Sequence, residues 1–432
     1  MGQILVNGGL GQAKFISGGT DGGSGFDDVH SNLTGSRFFR WFHTIPPGLC
    51  GFRRKPIPGS LGICAIDRGG ESSYNAYHET KQRSDTMIYF TSDYTEGCHE
   101  KILQKLNATN MEQTSGYGTD PHCANAARLI REACGRENVD VHFLVGGTQT
   151  NLTVIDAALR PHQAAVCAQS GHIHVHETGA VEATGHKILA LPSDDGKITA
   201  DQVRALVHAH RTDESMEHTA QPKLVYISNP TELGTIYTKA ELFALSEACR
   251  ELGLYLFLDG ARMGYGLACR ENDLTLEDIT EACDAFYIGG TKVGALFGEA
   301  LVLKHPALRE DFRYLIKQHG GMLAKGRLLG VQFETLFEDN LYFDISKHAL
   351  ALADRLREVI SSLGYRFYAE SPTNQLFPIF PDRVLEGLKA KYAYTYQCRV
   401  SPEESAIRLC TSWATTQEQV EAFCADLAAL SV

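Results

Sequence analysis

Three clusters of polar residues, each directly after an apolar run, carry the chemistry that this sequence offers. LYLFLD ends in Asp259-Gly260-Ala261-Arg262, AFYIGG ends in Thr291-Lys292, and VHFLV ends in Gly146-Gly147-Thr148 at the start of a helical stretch. Taken singly, each has a bland reading: an Asp that caps a helix, a solvated Lys after a Gly-Gly turn, a tight turn with an N-cap. Taken together they have a specific meaning. A helix N-terminus opened by Gly147 and Thr148 offers free N–H groups and a hydroxyl to a phosphate. A buried Asp259 can keep a pyridine nitrogen protonated, and Lys292 can form an imine with an aldehyde. Those are the three attachments that pyridoxal 5'-phosphate (PLP) requires. No GxGxxG follows the first strand and no GxxxxGK followed by Ser or Thr occurs, which disfavours dinucleotide and Walker-type sites.

Such residues need a sheet to bring them to one rim. From Met87 onward, apolar runs of four to six residues alternate with longer amphipathic segments, the pattern of an α/β protein. The runs in VHFLVGG, AAVCAQ, KLVYIS, LYLFLD, AFYIGG and ALVL are continuous rather than alternating, which suits a largely parallel sheet covered by helices on both faces. Ligands of such sheets sit at the carboxyl ends of the strands, where Asp259, Lys292 and Gly147 fall. Residues 1–86 differ, being punctuated by GGTDGGSG, PPGLCG and DRGGESS, and are expected to form a poorly ordered extension. Residues 87–335 are then the large domain, and 336–432, led by the helical ISKHALALADRLREVISSLG, a smaller C-terminal α/β domain.

Composition narrows the class. The 432 residues hold 40 Lys+Arg against 52 Asp+Glu, a formal charge of −12 that argues against a nucleic-acid binder. No apolar run approaches the ~20 residues that a membrane helix needs, and no secretory signal is evident, so the expectation is a cytoplasmic protein. The 12 cysteines include no CxxC pair and read as reduced, mostly buried thiols.

Over roughly residues 88 to 430 the chain resembles the low-specificity L-threonine aldolases, PLP enzymes of fold type I. Ser92-Asp93 matches the family's opening Ser-Asp, residues 117–121 (Tyr-Gly-Thr-Asp-Pro) its YGxDP, and residues 147–152 its GTQxNL. His172-Ile173 with Glu177, and Asp259-Gly260-Ala261-Arg262, match two further motifs. The resemblance makes Lys292 the cofactor-bearing lysine and Arg408 the grip on the substrate carboxylate, with Ser92, Tyr117 and Arg262 beside it. It aligns Asn229 with a strand-end Asn and His218 with a second active-site histidine, and implies Gly147, Thr148, His172, Asn229, Arg262 and Thr291 at the cofactor, Arg262 at its ring oxygen or at the substrate carboxylate. Departures occur at Thr291-Lys292-Val293-Gly294-Ala295 and at residues 320–324, where a second phosphate-side arginine is missing.

The implied reaction is retro-aldol cleavage of L-threonine or L-allo-threonine to glycine and an aldehyde, with His172 or His218 taking the β-hydroxyl proton. A small amino-acid substrate and a homodimer or homotetramer are implied as well. His172, His174 and His176 would share a face if extended and could then bind a metal. The resemblance gives only His172 a role, against the cofactor ring, so no metal is expected. A β-eliminating lyase is the alternative within enzymes, and a PLP-binding protein without turnover the alternative outside them.

Overall fold

The computed structural model describes residues 87–431; the expected extension over 1–86 lies outside the described residues. Strand β1 is Ile88–Tyr89, and seven strands follow that form the main sheet: β2 Asp140–Leu144, β3 Gln163–Ala168, β4 Lys187–Leu191, β5 Gln221–Ser228, β6 Tyr255–Asp259, β7 Ala285–Gly289 and β8 Glu299–Leu303. Their order is β2-β8-β7-β6-β5-β3-β4, with β8 antiparallel to both neighbours and every other pairing parallel. Strands β3, β7 and β8 are buried along their whole length, as the continuous apolar runs require for a sheet sandwiched between helices.

Alternation along the strands divides the interior into two cores. Val225, Ile227, Leu256, Leu258, Phe286 and Ile288 face one core, while Leu224, Tyr226, Phe257 and Tyr287 face the other, which also takes Val154 and Ile155 of helix Gly147–Ala158. Asp259, two residues beyond Phe257, therefore falls on the face that carries Tyr226 and Tyr287. The covering helices are locally encoded. Helix Lys239–Leu252 starts with a capping box between Thr238 and Glu241 and stops at Gly253, whose φ of 71° suits a residue without Cβ.

The C-terminal part is built on the 22-residue helix Leu341–Ser362 and the antiparallel strands β9 Gln375–Leu376, β10 Ile379–Pro381, β12 Thr395–Ser401 and β13 Glu404–Cys410, with β11 at Tyr392–Ala393 and helix Gln417–Leu430 behind them. Strand β1 does not join the main sheet. It pairs in parallel with β11, Ile88 opposite Tyr392, and Phe90 is fully buried in the C-terminal core. No helix among the described residues is long and apolar enough to cross a membrane.

Phe90 lies edge-on to Phe423 at 5.5 Å and stacks near Tyr392 at 6.4 Å, while its backbone bonds Ala393 and Cys410. Truncating it leaves a cavity that flanking strands cannot close, so Phe90→Ala is expected to cost about 3–5 kcal/mol. Tyr89→Ala, at a side chain 55% exposed, should stay within about 0.5 kcal/mol. Urea unfolding of the two full-length variants checks this, and equal midpoints would show that the buried Phe90 side chain adds nothing to the C-terminal core.

Candidate active site

Asp259 ends β6 with 4% of its surface exposed. Its two oxygens accept from the hydroxyls of Tyr226 and Tyr287, from Asn151 Nδ2 at 3.1 Å and from the Ala261 N–H at 3.0 Å. Burial would raise its pKa, but the neighbouring His172 charge and these donors outweigh it and hold the carboxyl below its ordinary value. The register that pairs Ser228 with Asp259 and the bond from Asn229 N–H to the Asp259 carbonyl lock β5 to β6 at this level. Gly260 follows because β7 passes so close: a Cβ there would lie 2.1 Å from the Tyr287 carbonyl oxygen.

A second carboxylate is tied to the first. Asn151 Nδ2 also donates to Glu177 Oε1 at 2.7 Å, and the same oxygen sits 2.8 Å from His172 Nδ1. Desolvation disfavours a charged imidazole, yet the Glu177 bond and the Asp259 and Glu177 charges raise the His172 pKa above its usual value. His172 opens a helical turn, His172–Val175, rather than an extended run, so His172 and His176 lie together with ring centroids 5.6 Å apart and His174 is exposed. The shared face of three imidazoles does not form, and among the described residues no cluster of metal-ligating side chains occurs.

Lys292 follows β7 at the same rim, its carbonyl accepting from Tyr265 Oη at 2.7 Å. Burial, with the adjacent Arg262 charge, lowers its pKa and so favours the neutral, nucleophilic amine. Arg262 spends Nε and Nη2 on Asp93, at 2.7 and 3.0 Å, and Asn374 of the C-terminal part donates to the same carboxylate at 3.0 Å. Thr291 Oγ1 donates to Glu299 Oε1 at 2.9 Å and the Gly290 N–H to Oε2 at 3.0 Å, while burial pushes the Glu299 pKa up to about 8.

A cavity of about 260 Å³ is lined by Lys292, Asp259, His172, Gly147, Arg262 and Glu232, with Thr148 and Thr291 also on its wall. The expected residues thus converge, with exceptions. Asn229 is buried and turns its amide oxygen to the Tyr237 N–H at 3.0 Å, which makes it a brace behind the wall. Ser92 is buried beside Asp93, and Arg408 on β13 donates to the Thr91 carbonyl at 3.0 Å; its Nε has no partner among the described residues. Tyr117 is 47% exposed with φ of 61° and lines a different hollow with Arg313 and Met322. His218 is a correction. It closes a one-turn helix just before β5, and that eight-residue strand, at about 3.3 Å per residue, separates it from the cavity at the other end.

Sequence reasoning does not single out Tyr226, Tyr287, Glu232 or Glu299. The two tyrosines leave a signal, a phenol inside an apolar strand that must find a partner once buried. Glu232 follows an Asn-Pro pair in a turn and leaves none.

With this geometry in hand, comparison with known proteins is informative. The low-specificity L-threonine aldolase of Pseudomonas sp. (strain NCIMB 10558) is 30% identical over 353 residues, covering 80% of this chain and 99% of that one. Among solved structures, the threonine aldolase of Leishmania major superposes with a TM-score of 0.78 at 47% identity, covering 80% of this chain and all of that one. Serine palmitoyltransferase of Sphingomonas wittichii, at 15% identity and a TM-score of 0.60 over 80% of this chain and 87% of that one, shares the fold, which is fold type I of the PLP enzymes. The β-eliminating lyase family matches residues 89–416, and the chain belongs to it.

Proposed function

We propose that this chain is a lyase that cleaves L-threonine and L-allo-threonine to glycine and acetaldehyde with PLP as its resident cofactor. The observation that carries the reading is the convergence of Lys292, Asp259 and the start of helix Gly147–Ala158 on one cavity. The residues fit the cofactor. Gly147 sits so close that a Cβ would meet Tyr287 Oη at 3.0 Å, and the helix start beside Thr148 leaves N–H groups for a phosphate. When bound, PLP supplies a sink for the electron pair of a bond broken at Cα.

The protein's own groups do the rest. Lys292 offers an amine whose pKa is lowered by burial and by the Arg262 charge. Asp259, held below its ordinary pKa by its donors, would keep the ring nitrogen of a bound PLP protonated. His172, braced by Glu177, lines the same cavity. Arg408 and Ser92 orient the substrate carboxylate, which sets the bond to Cβ rather than Cα–H for cleavage. Arg262, committed to Asp93, positions and tunes Lys292 instead of gripping substrate. All ten cysteines among the described residues are unpaired, which supports a cytoplasmic location. Tyr117, exposed and away from the Lys292 cavity of its own chain, fits a contribution to a neighbour's site in a homodimer or homotetramer.

Three measurements follow. Borohydride reduction of the PLP-loaded protein should abolish its visible band and leave a pyridoxyl mass on the peptide containing Lys292; a label on another lysine sinks the site. With L-allo-threonine the products should be glycine and acetaldehyde, whereas 2-oxobutanoate and ammonia would establish β-elimination instead. Sedimentation at assay concentration should give a dimer or tetramer, and an active monomer rejects the shared-site assembly.

A further inference from the structure

Cleavage of a β-hydroxy amino acid needs a group that accepts the hydroxyl proton. His218 is at the wrong end of β5, and His172 has its Nδ1 engaged by Glu177 Oε1 at 2.8 Å. Three carboxylates line the cavity. Asp259 is saturated by two phenols, Asn151 and a backbone N–H. Each oxygen of Glu299 is taken, by Gly290 N–H and Thr291 Oγ1. Glu232 differs. Its Oε1 accepts from the His172 N–H at 2.9 Å and from Ser228 Oγ at 2.7 Å, while Oε2 accepts nothing from any other described residue. The turn that presents it is closed by bonds from Thr231 N–H to the Thr235 carbonyl and from Gly234 N–H to the Thr231 carbonyl, both 2.9 Å. The side chain is half-buried and fixed on the His172 side of the cavity.

We propose that Glu232 is the catalytic base that takes the β-hydroxyl proton, a role that rests on the aldolase reading above. As that proton passes to the Glu232 carboxylate, the Cβ–O bond becomes a carbonyl and the electron pair of Cα–Cβ stays with Cα. A proton then returns to Cα, so glycine and acetaldehyde leave with one proton moved from oxygen to carbon and, beyond the resident PLP, nothing else required. The titratable groups that act on Glu232 are His172, Asp259 on β6, Tyr226 on β5, Cys167 on β3 and Tyr237 after the turn. Burial and the Asp259 charge raise its pKa, against the Ser228 bond and the His172 charge, and a raised carboxylate is a stronger base.

Glu232→Gln keeps the acceptor for His172 and Ser228 and removes only the proton site. The PLP-loaded variant should keep its absorbance band, its melting temperature and, within about twofold, the glycine dissociation constant read from that band, since glycine has no β-hydroxyl. Its kcat for L-allo-threonine should fall by about 10²–10⁴-fold. A kcat within about threefold of native overturns the assignment, and so does loss of glycine binding in step with kcat, which marks a structural role. Ser228→Ala gives an independent reading. Removing a donor to the carboxylate raises its pKa, so the acid limb of kcat, where Glu232 is protonated and inactive, should move to higher pH. An unmoved limb overturns the proposal even if Glu232→Gln fails to hold PLP. Release of 2-oxobutanoate by the native protein would instead remove the aldolase reading itself.

Discussion

The structure depends on holding one negative charge, that of the buried Asp259, at the wall of a cavity. An ionised carboxylate taken from water costs several kcal/mol unless its oxygens are satisfied. Here four donors do so, and they come from four elements: Tyr226 on β5, Tyr287 on β7, Asn151 on the helix after β2 and the Ala261 N–H beyond β6. The order β7-β6-β5 in the sheet is what places the two phenols on either side of the aspartate, and alternation along each strand turns all three to the same face. Gly260 is then required because the turn after Asp259 runs against the β7 backbone.

A second chain of charge reaches the site from the C-terminal part. Asn374 donates to Asp93, Asp93 grips Arg262 through two bonds, and Arg262 lowers the Lys292 pKa. Asp93 lies four residues beyond β1, and the β1–β11 pairing and the buried Phe90 just after it fix this segment to the C-terminal core. The short N-terminal strand therefore does more than close an edge. It sets the carboxylate that keeps Arg262 beside the lysine, so the amine's availability is coupled to the packing of the C-terminal part.

The sequence reveals this arrangement unevenly. Asp259, Lys292 and Gly147 are legible because each ends a continuous apolar strand, and in a parallel sheet strand ends share one rim. Strand β4, with its exposed Lys187 and mixed burial, has a weaker pattern because it lies at an edge. His218 misleads for the converse reason: a residue upstream of a parallel strand sits on the opposite rim, whatever its chemistry. The helical turn at His172 is equally hidden, since HIHVH alternates like a strand and its helical form is fixed by tertiary partners, the Glu232 carboxylate at its first N–H and Glu177 at its ring.

Three carboxylates, two of them buried and one half-buried, share one cavity. Each is given a different fate by its surroundings. Asp259 collects four donors and is held below its ordinary pKa; Glu299, equally buried, has two and is pushed up to about 8. Glu232 has both of its donors on one oxygen and leaves the other uncommitted. Environments that push like groups apart in pKa allow one pocket to hold a permanent anion, a neutral acid and a proton acceptor at once. The assignment of roles thus follows from how many donors each carboxylate meets and on which oxygens, an arrangement fixed by strand register and turn closure rather than by residue type.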